Sequence, residues 1–379
     1  MPSEKPVCVG LVERIGMENA QITHKTYINA EEKVLTFTLA IPDHEVGLNK
    51  VNSILTDKET GVISSTDDIS VVGHRIVHGG EYFTAPTIVN AEVMDKLKLT
   101  FQLAPLHNPP SYRGIEVAEK IFIHAKHVLV FDTAFHKTLA PQAFRYAVPK
   151  SFYEEHNVRV YGFHGTSHKY VSEKAIEYLN KKESKIISIH LGNGCSMAAI
   201  KNGVCIDTSM GFGPLAGLIM GTRSGDIDPT VVFYLVNTFG YDINRVSDIL
   251  NKQSGMLGLT GFSDMRDISA AIKEGNEDAK LAYEMYAYRI KKYIGAYAAA
   301  MNGLDAIVFT AGVGENDTLT RQLVCADMDY LGLNLDIEAN QIRASGLREI
   351  NKDNSKTKIL IIPTNEELEI ANQCFSLLK

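Results

Sequence analysis

Four times along this chain a short apolar run stops abruptly at a polar or glycine-rich turn. Val128 to Phe131 ends at Asp132, Lys185 to Ile189 at His190, Ala306 to Thr310 at Ala311-Gly312, and Lys358 to Ile362 at Pro363-Thr364-Asn365. Segments of helical period separate them, including a long one around Ala282 to Met301. Buried strands that alternate with helices predict an α/β architecture. In open α/β sheets ligands gather at the carboxyl ends of strands, so these turns are expected to share one cleft. Val7 to Val12, Lys33 to Leu39 and Ser70 to Gly73 read as further strands. At 379 residues the chain exceeds one ordinary core and suits two domains.

Charge and cysteine usage narrow the class. A net charge of -7 without a basic run argues against a nucleic-acid partner, and an anionic substrate would need locally placed Arg and Lys. The five cysteines (Cys8, Cys195, Cys205, Cys325, Cys374) are scattered and odd in number, as expected for reduced thiols in the cytoplasm. No apolar run approaches membrane-spanning length, and Met1 to Pro6 lacks the apolar stretch of a signal peptide.

The densest chemistry lies in Tyr161-Gly162-Phe163-His164-Gly165-Thr166-Ser167-His168, between the strand-like Asn157 to Val160 and the helix-like Tyr170 to Leu179. Glycines beside a histidine let backbone approach a ligand while the imidazole points at it. A plain polar loop whose Ser167 caps the next helix accounts for Ser167 but not for His164. Ile189 to Ser196 is a strand running into the glycine-bracketed turn Gly192-Asn193-Gly194, which reads equally as a phosphate cradle or a β-hairpin tip. The turn Ala311 to Asn316 follows a buried strand and precedes a helix expected from Asp317. Arg75 and Arg223 are framed by glycines, suiting forked recognition of carboxylate or phosphate; surface ion pairs are the alternative. His74, His78, His136, His164 and His168 invite a zinc reading, but no HExxH accompanies them. Thr364 to Glu367 has capping-box spacing, with Thr364 as cap and Glu367 reaching back, which leaves Glu366 available to hold Mg²⁺.

Taken together, the ordered segments GHRIVHGGE, APLHNPP, FDTAFH, YGFHGTSH, HLGNG, MGFGPLAGLIMGTRSGDIDP, DMRD, AGVGEN and PTNEEL closely resemble the acetate kinase family. That family lies within the acetate and sugar kinase, heat-shock 70 and actin superfamily. The resemblance implies two RNase H-like (actin-like ATPase) domains flanking a central cleft, residues 1–133 plus 369–379 and residues 134–368. It implies a homodimer that moves phosphoryl reversibly between ATP and acetate, with Mg²⁺ or Mn²⁺. By the same resemblance, Asp132, His164 and Arg223 are catalytic, Arg75 binds the carboxylate, and Val77, Leu106, Phe163 and Pro214 form the acyl pocket. ATP contacts are expected from His190, Leu191, Gly192, Asn193 and Gly194, from Asp264, Met265 and Arg266, and from Gly312, Val313, Gly314, Glu315 and Asn316. Glu366 is the implied metal carboxylate, with Asp132 orienting the metal or its water. Acetate is already ionised at neutral pH, so the work left is positioning and charge neutralisation.

The resemblance also implies an apolar strand, an Asn- and Ser-rich glycine turn and a second strand ahead of Met1-Pro2-Ser3-Glu4-Lys5-Pro6. Without them we expect an interrupted sheet in the first domain, and weak nucleotide binding with little turnover for residues 1–379. A propionate or other short-chain acyl kinase, or a catalytically impaired nucleotide-binding protein, are the alternative readings.

Overall fold

The computed structural model describes residues 3–28 and 31–379; Met1 and Pro2 of the opening segment lie outside the described residues. The chain divides into two compact units, residues 1–131 with 367–379, and residues 132–366.

The first unit carries two three-stranded sheets. One is an antiparallel meander of β1 (Cys8–Glu13), β2 (Met17–Ile28) and β3 (Glu31–Ile41). The middle strand was not foreseen from sequence. It does alternate, with Ala20, Ile22, His24 and Thr26 all buried on one face, but two of those inward residues are polar. His24 tolerates burial because its Nε2 lies 3.0 Å from the carbonyl of Thr60. The other sheet has the order β4-β6-β5, from β4 (Val71–Ile76), β5 (Thr87–Ile88) and β6 (Lys126–Phe131), with β4 parallel to β6. The C-terminal helix Glu366–Leu378 packs Ile370 and Cys374 against Val128 and Val130 of this sheet. Gly73 permits that contact, since a Cβ there would lie 2.7 Å from Ile370 Cγ2.

The second unit is organised on a six-stranded sheet made of β7 (Lys185–Leu191), β8 (Cys195–Lys201), β9 (Val204–Thr208), β10 (Ala306–Thr310), β11 (Arg348–Glu349) and β12 (Lys358–Ile361). Its order is β11-β12-β10-β7-β8-β9. The centre (β12, β10, β7) is parallel, while β7, β8 and β9 form an antiparallel meander. Every residue of β10 is buried, as a near-continuous apolar run predicts for a parallel strand covered on both faces. The helix Glu277–Met301 is capped by Asn276, carries Glu277 and Asp278 in its first turn, and stops where Asn302 turns left-handed.

Local expectations fail at three points, each for a physical reason. Asn157 to Val160 is not a strand: Asn157 adopts φ 52° to end the helix Lys150–His156, and Val160 N–H donates to the Phe144 carbonyl in a loop. The turn expected at Ala311 to Asn316 is itself a short helix, and Asp317 then caps a second, Thr318–Cys325. Thr364 and Glu367 form no capping box. The helix begins at Glu366, one residue too late for that spacing, and the buried Thr364 Oγ1 has no hydrogen-bond partner among the described residues.

Candidate functional site

The hairpin β7–β8 supplies the first part of the site. Leu191 pairs with Cys195 and His190 with Ser196, so Gly192-Asn193-Gly194 forms its tip; both readings of this turn, hairpin and candidate cradle, remain compatible. The helix Gly165–Leu179 supplies the second. It starts earlier than expected, and the residue ahead of its first turn is His164, held at φ 56°, a left-handed conformation rare outside glycine and asparagine. Gly165 makes this possible: its N–H donates to the Asp132 carbonyl at 2.9 Å, and a Cβ would collide with that oxygen. Ser167 does not cap the helix. It lies within the first turn, with its Oγ 2.8 Å from Nδ1 of His190.

His164 and His190 stack, ring centroids 4.2 Å apart at 19°. A Cβ on Gly194 would lie 3.5 Å from Nε2 of His164 and 3.7 Å from Nη1 of Arg223, so the glycine preserves open space between an imidazole and a guanidinium. Arg223 is partly buried, and its Nη1 donates to the Pro214 carbonyl at 3.1 Å. No carboxylate pairs with it among the described residues, and burial pulls its pKa down. A half-buried cation without an acid is poised for an external anion. Behind it, Cys195 is no nucleophile: burial pushes its thiol up to about 11.

Two carboxylates approach one hydroxyl, that of Thr166. Thr166 Oγ1 lies 3.4 Å from Oδ1 of Asp132 and 3.5 Å from Oε2 of Glu366, and its single hydrogen can serve only one of them. Asp132 is buried at 2% exposure. No group of three or more His, Cys, Asp or Glu side chains suited to a metal occurs among the described residues. An all-oxygen pair fits Mg²⁺, which keeps several waters and takes only one or two carboxylates besides phosphate oxygens.

A cavity of about 1040 Å³ extends from the hairpin tip. Gly192, Asn193, Asp264, Met265, Arg266, Gly312, Val313 and Asn316 all line it. Of the other expected nucleotide residues, His190 stacks on His164, Leu191 is fully buried, and Gly314 and Glu315 turn to structural work. The Gly314 carbonyl accepts from the buried Arg321 at 2.9 Å, and the Glu315 carbonyl from Arg348 at 3.0 Å. These arginines hold the short helix Ala311–Asn316 from behind, and burial with the nearby Arg348 charge brings Arg321 down to about 10. Sequence reasoning missed Ser269, Ile272 and Lys273, which line the cavity from the helix Met265–Lys273. Their spacing from Met265 by four, seven and eight residues marks one helical face and was a usable signal.

In the first unit, Arg75 lies exposed on β4 and Val77 follows it, partly buried. Leu106 is 72% exposed, whereas Phe163 of the second unit is 2% exposed. His74 and His127 stack with Nε2 and Nδ1 3.0 Å apart, and burial takes His74 down to about 4. No helix among the described residues is long and apolar enough to cross a membrane.

Comparison with known proteins is consistent across sequence and structure. A sequence model described as the acetokinase family matches residues 1–372. An acetate kinase of Flavobacterium johnsoniae is 59% identical over 379 residues, covering 100% of this chain and 95% of the relative, and one of Syntrophomonas wolfei is 50% identical over 382 residues, covering 100% and 95%. The crystal structure of Porphyromonas gingivalis acetate kinase superposes with a TM-score of 0.91 at 44% identity, covering 98% of this chain and 94% of the other. A propionate kinase from Francisella tularensis superposes with a TM-score of 0.90 at 39% identity, covering 98% and 93%. The mixed α/β architecture is thus the actin-like ATPase fold of these enzymes, and the chain belongs to the acetokinase family.

Proposed function

We propose that the chain is an ATP-dependent acetate kinase, transferring the γ-phosphoryl of ATP reversibly to acetate. The observation that carries this is Arg223, a partly buried cation without an acid partner among the described residues, set across the space over Gly194 from His164. An acetate oxygen forms the new bond to phosphorus as the bond to the bridging oxygen breaks, and ADP leaves with that electron pair. Negative charge spreads over the phosphoryl oxygens during transfer, where donors held in place by the fold are worth most. Arg223 and His164 supply such donors. Acetate is already ionised and offers no proton to remove, so Asp132 is not needed as a base. With Glu366 it holds Mg²⁺ when the ion is bound, and the ion neutralises phosphate charge. The cavity lined by Asp264 to Arg266 and by Gly312, Val313 and Asn316 takes the adenosine. Arg75 and Val77 are assigned to the carboxylate and methyl of acetate, with Leu106, Phe163 and Pro214 completing the acyl contacts.

A second copy of this chain is the proposed partner, and the cytoplasm the proposed location. The helix Pro229–Phe239 has no buried residue and exposes Val231, Phe233, Tyr234 and Phe239, with Tyr241 and Ile243 following. An apolar stretch of this kind marks an interaction surface. Propionate is the one alternative acyl acceptor that an observation favours, through the likeness to the Francisella enzyme. Trapping acyl phosphate as hydroxamate across a series of acids tests the reading. Acetate should give the highest kcat/KM and propionate should still react, since one methylene is worth only about 1–3 kcal/mol. A butyrate kcat/KM above that of acetate refutes it.

A further inference from the structure

The phosphoryl-transfer reading needs His164 to present a proton, yet nothing in that reading says which ring nitrogen holds it. We propose that Ser196 and Ser188 are positioning residues that set the His164 tautomer: the linked groups Ser188, His168, Ser196 and His164 form a one-way hydrogen-bond relay that keeps the proton on Nε2. This proposal rests on the function assigned above to His164, and concerns how that residue is prepared for it.

The links are all short. Ser188 Oγ lies 2.8 Å from Nδ1 of His168, Nε2 of His168 lies 2.8 Å from Ser196 Oγ, and Ser196 Oγ lies 2.8 Å from Nδ1 of His164. Ser188, His168 and Ser196 are each 0% exposed, so no bulk water completes their bonding. Direction follows from counting hydrogens. A neutral imidazole has one N–H, and a hydroxyl has one hydrogen to give. His168 is neutral, because burial and the neighbouring His136 and His190 hold its pKa well below the ordinary value.

Among the described residues Ser188 Oγ has no hydrogen-bond partner besides His168. If Nδ1 of His168 carried the proton, Ser188 would accept it and its own hydroxyl hydrogen would be buried without an acceptor, the costly outcome for a polar group. Ser188 therefore donates to Nδ1, which places the His168 proton on Nε2. That N–H donates to Ser196 Oγ. Ser196 then has its hydrogen left for Nδ1 of His164, its other neighbour. A neutral His164 with an occupied Nδ1 lone pair carries its own proton on Nε2, the nitrogen 3.5 Å from the Cβ position of Gly194. In this direction the buried hydrogens of Ser188, His168 and Ser196 each have an acceptor, and in the reverse direction that of Ser188 does not. The strand register makes it possible: Ser196 pairs with His190 across β7 and β8, and Ser188 sits two residues earlier on the same face of β7.

The first test uses the wild-type chain labelled with ¹⁵N-histidine and long-range ¹H–¹⁵N correlation, with the His164 ring identified by its loss in His164→Gln. The expected pattern is a bare Nδ1 and a protonated Nε2; a proton on Nδ1 overturns the relay. The second test is Ser196→Ala, which should mix the two tautomers and lower kcat for acetyl phosphate formation on the order of tenfold, as loss of an outer partner to a working histidine does. KM for ATP and acetate should not move. Ser188→Ala, which touches neither His164 nor its neighbour Ser196, should shift the tautomer balance in the same direction with a smaller loss in kcat. A Ser196→Ala enzyme with lowered kcat but an unchanged Nε2–H signal would make Ser196 merely structural and overturn the proposal, as would wild-type kcat. The ring measurement needs no substrate. A wild-type chain that forms no acyl phosphate therefore refutes the function while the tautomer still decides the relay.

Discussion

The two ends of the site in the second unit are built on opposite principles. At one end His164, His190 and Arg223 draw on interior groups: stacked imidazoles, buried serines and a guanidinium with no acid beside it among the described residues. At the other end Asp264 and Arg266 face outward and satisfy each other. Arg266 Nε lies 3.0 Å from Asp264 Oδ1, its side chain is 90% exposed, and the guanidinium holds Asp264 down to about 2. Both ends carry an arginine that sequence alone marks as a ligand contact. The difference teaches which of the two has charge to give. A cation already neutralised by its neighbour in water has little left for a phosphate, while one kept from any carboxylate in a partly buried setting has nearly all of it.

The strongest way to break this contrast is Arg223→Ala. If the unpaired guanidinium meets the phosphoryl oxygens as charge grows, kcat should fall on the order of 10²–10³, the cost of removing one preorganised donor. The loss should appear in kcat and kcat/KM alike, because the interaction belongs to the transition state. Steady-state kinetics in the acyl phosphate direction reads this directly; near-normal kcat would dissolve the contrast.

Acid should reach the buried end first. Burial lowers His136 to about 4, and lowers His168 as well, both in the second unit. His136 is held neutral by burial: its Nε2 lies 2.9 Å from the Phe163 carbonyl, which only accepts, and its Nδ1 faces the Cys205 sulfur at 3.2 Å, a thiol whose one hydrogen also has the Asp207 carbonyl within reach at 3.4 Å. In the unfolded chain such a ring binds its proton near pH 6.5, and in the native state only near 4, so the unfolded state holds more protons between the two. Stability is therefore full above about pH 6.5 and is lost as pH falls towards 4, by up to about 3 kcal/mol for His136 alone. Melting followed from pH 7 to 4.5 should show this decline, and His136→Gln should flatten it. An equally steep decline in His136→Gln would place the acid-sensitive groups elsewhere.

This division also explains what could be read from the residues beforehand. The buried strands β10 and β12 announce themselves by apolar runs, as does β7 despite Ser188 and His190 within it, and the glycine-framed Arg223 and the crowded Tyr161 to His168 segment mark the site. What stayed hidden depends on partners distant in sequence. Ser188 and Ser196 look like ordinary strand residues until the hairpin register and the helix Gly165–Leu179 bring His168 and His164 onto them. Thr364 has the spacing of a cap, but the helix begins at Glu366 and the buried Thr364 Oγ1 has no hydrogen-bond partner among the described residues. β2 was missed since its inward face alternates Ala20 and Ile22 with His24 and Thr26, and only the Thr60 carbonyl makes the histidine acceptable there. Apolar patterning is legible locally; a buried polar group is legible only with its partner.

Asp264→Ala separates two jobs at the outer end. Asp264 caps the helix Met265–Lys273, accepting from the Arg266 N–H at 2.8 Å, so its loss should cost about 1 kcal/mol of stability, as for other caps. The helix presents Ser269, Ile272 and Lys273 to the cavity, so KM for ATP should rise through a loosened wall while kcat holds. Thermal melting and ATP titration read the two effects, and unchanged values in both would deny the cap its role.

The smallest effect should come from Arg266→Ala. Its guanidinium is almost wholly in water, where an ion pair adds little, so stability should scarcely change. Removing it also frees the Asp264 carboxylate, which still accepts the backbone N–H of residue 266 and still caps the helix. What changes is charge on the rim of the cavity: a neutral pair becomes a lone carboxylate, which repels the nucleotide only weakly through solvent at physiological ionic strength. KM for ATP should therefore rise only a few-fold, the rise should shrink as salt is added, and kcat should remain that of the parent. Measured beside Arg223→Ala in the same assay, a loss in kcat as large for Arg266 would mean that the exposed arginine turns away from Asp264 to meet the phosphates, and the distinction between the two ends would fall.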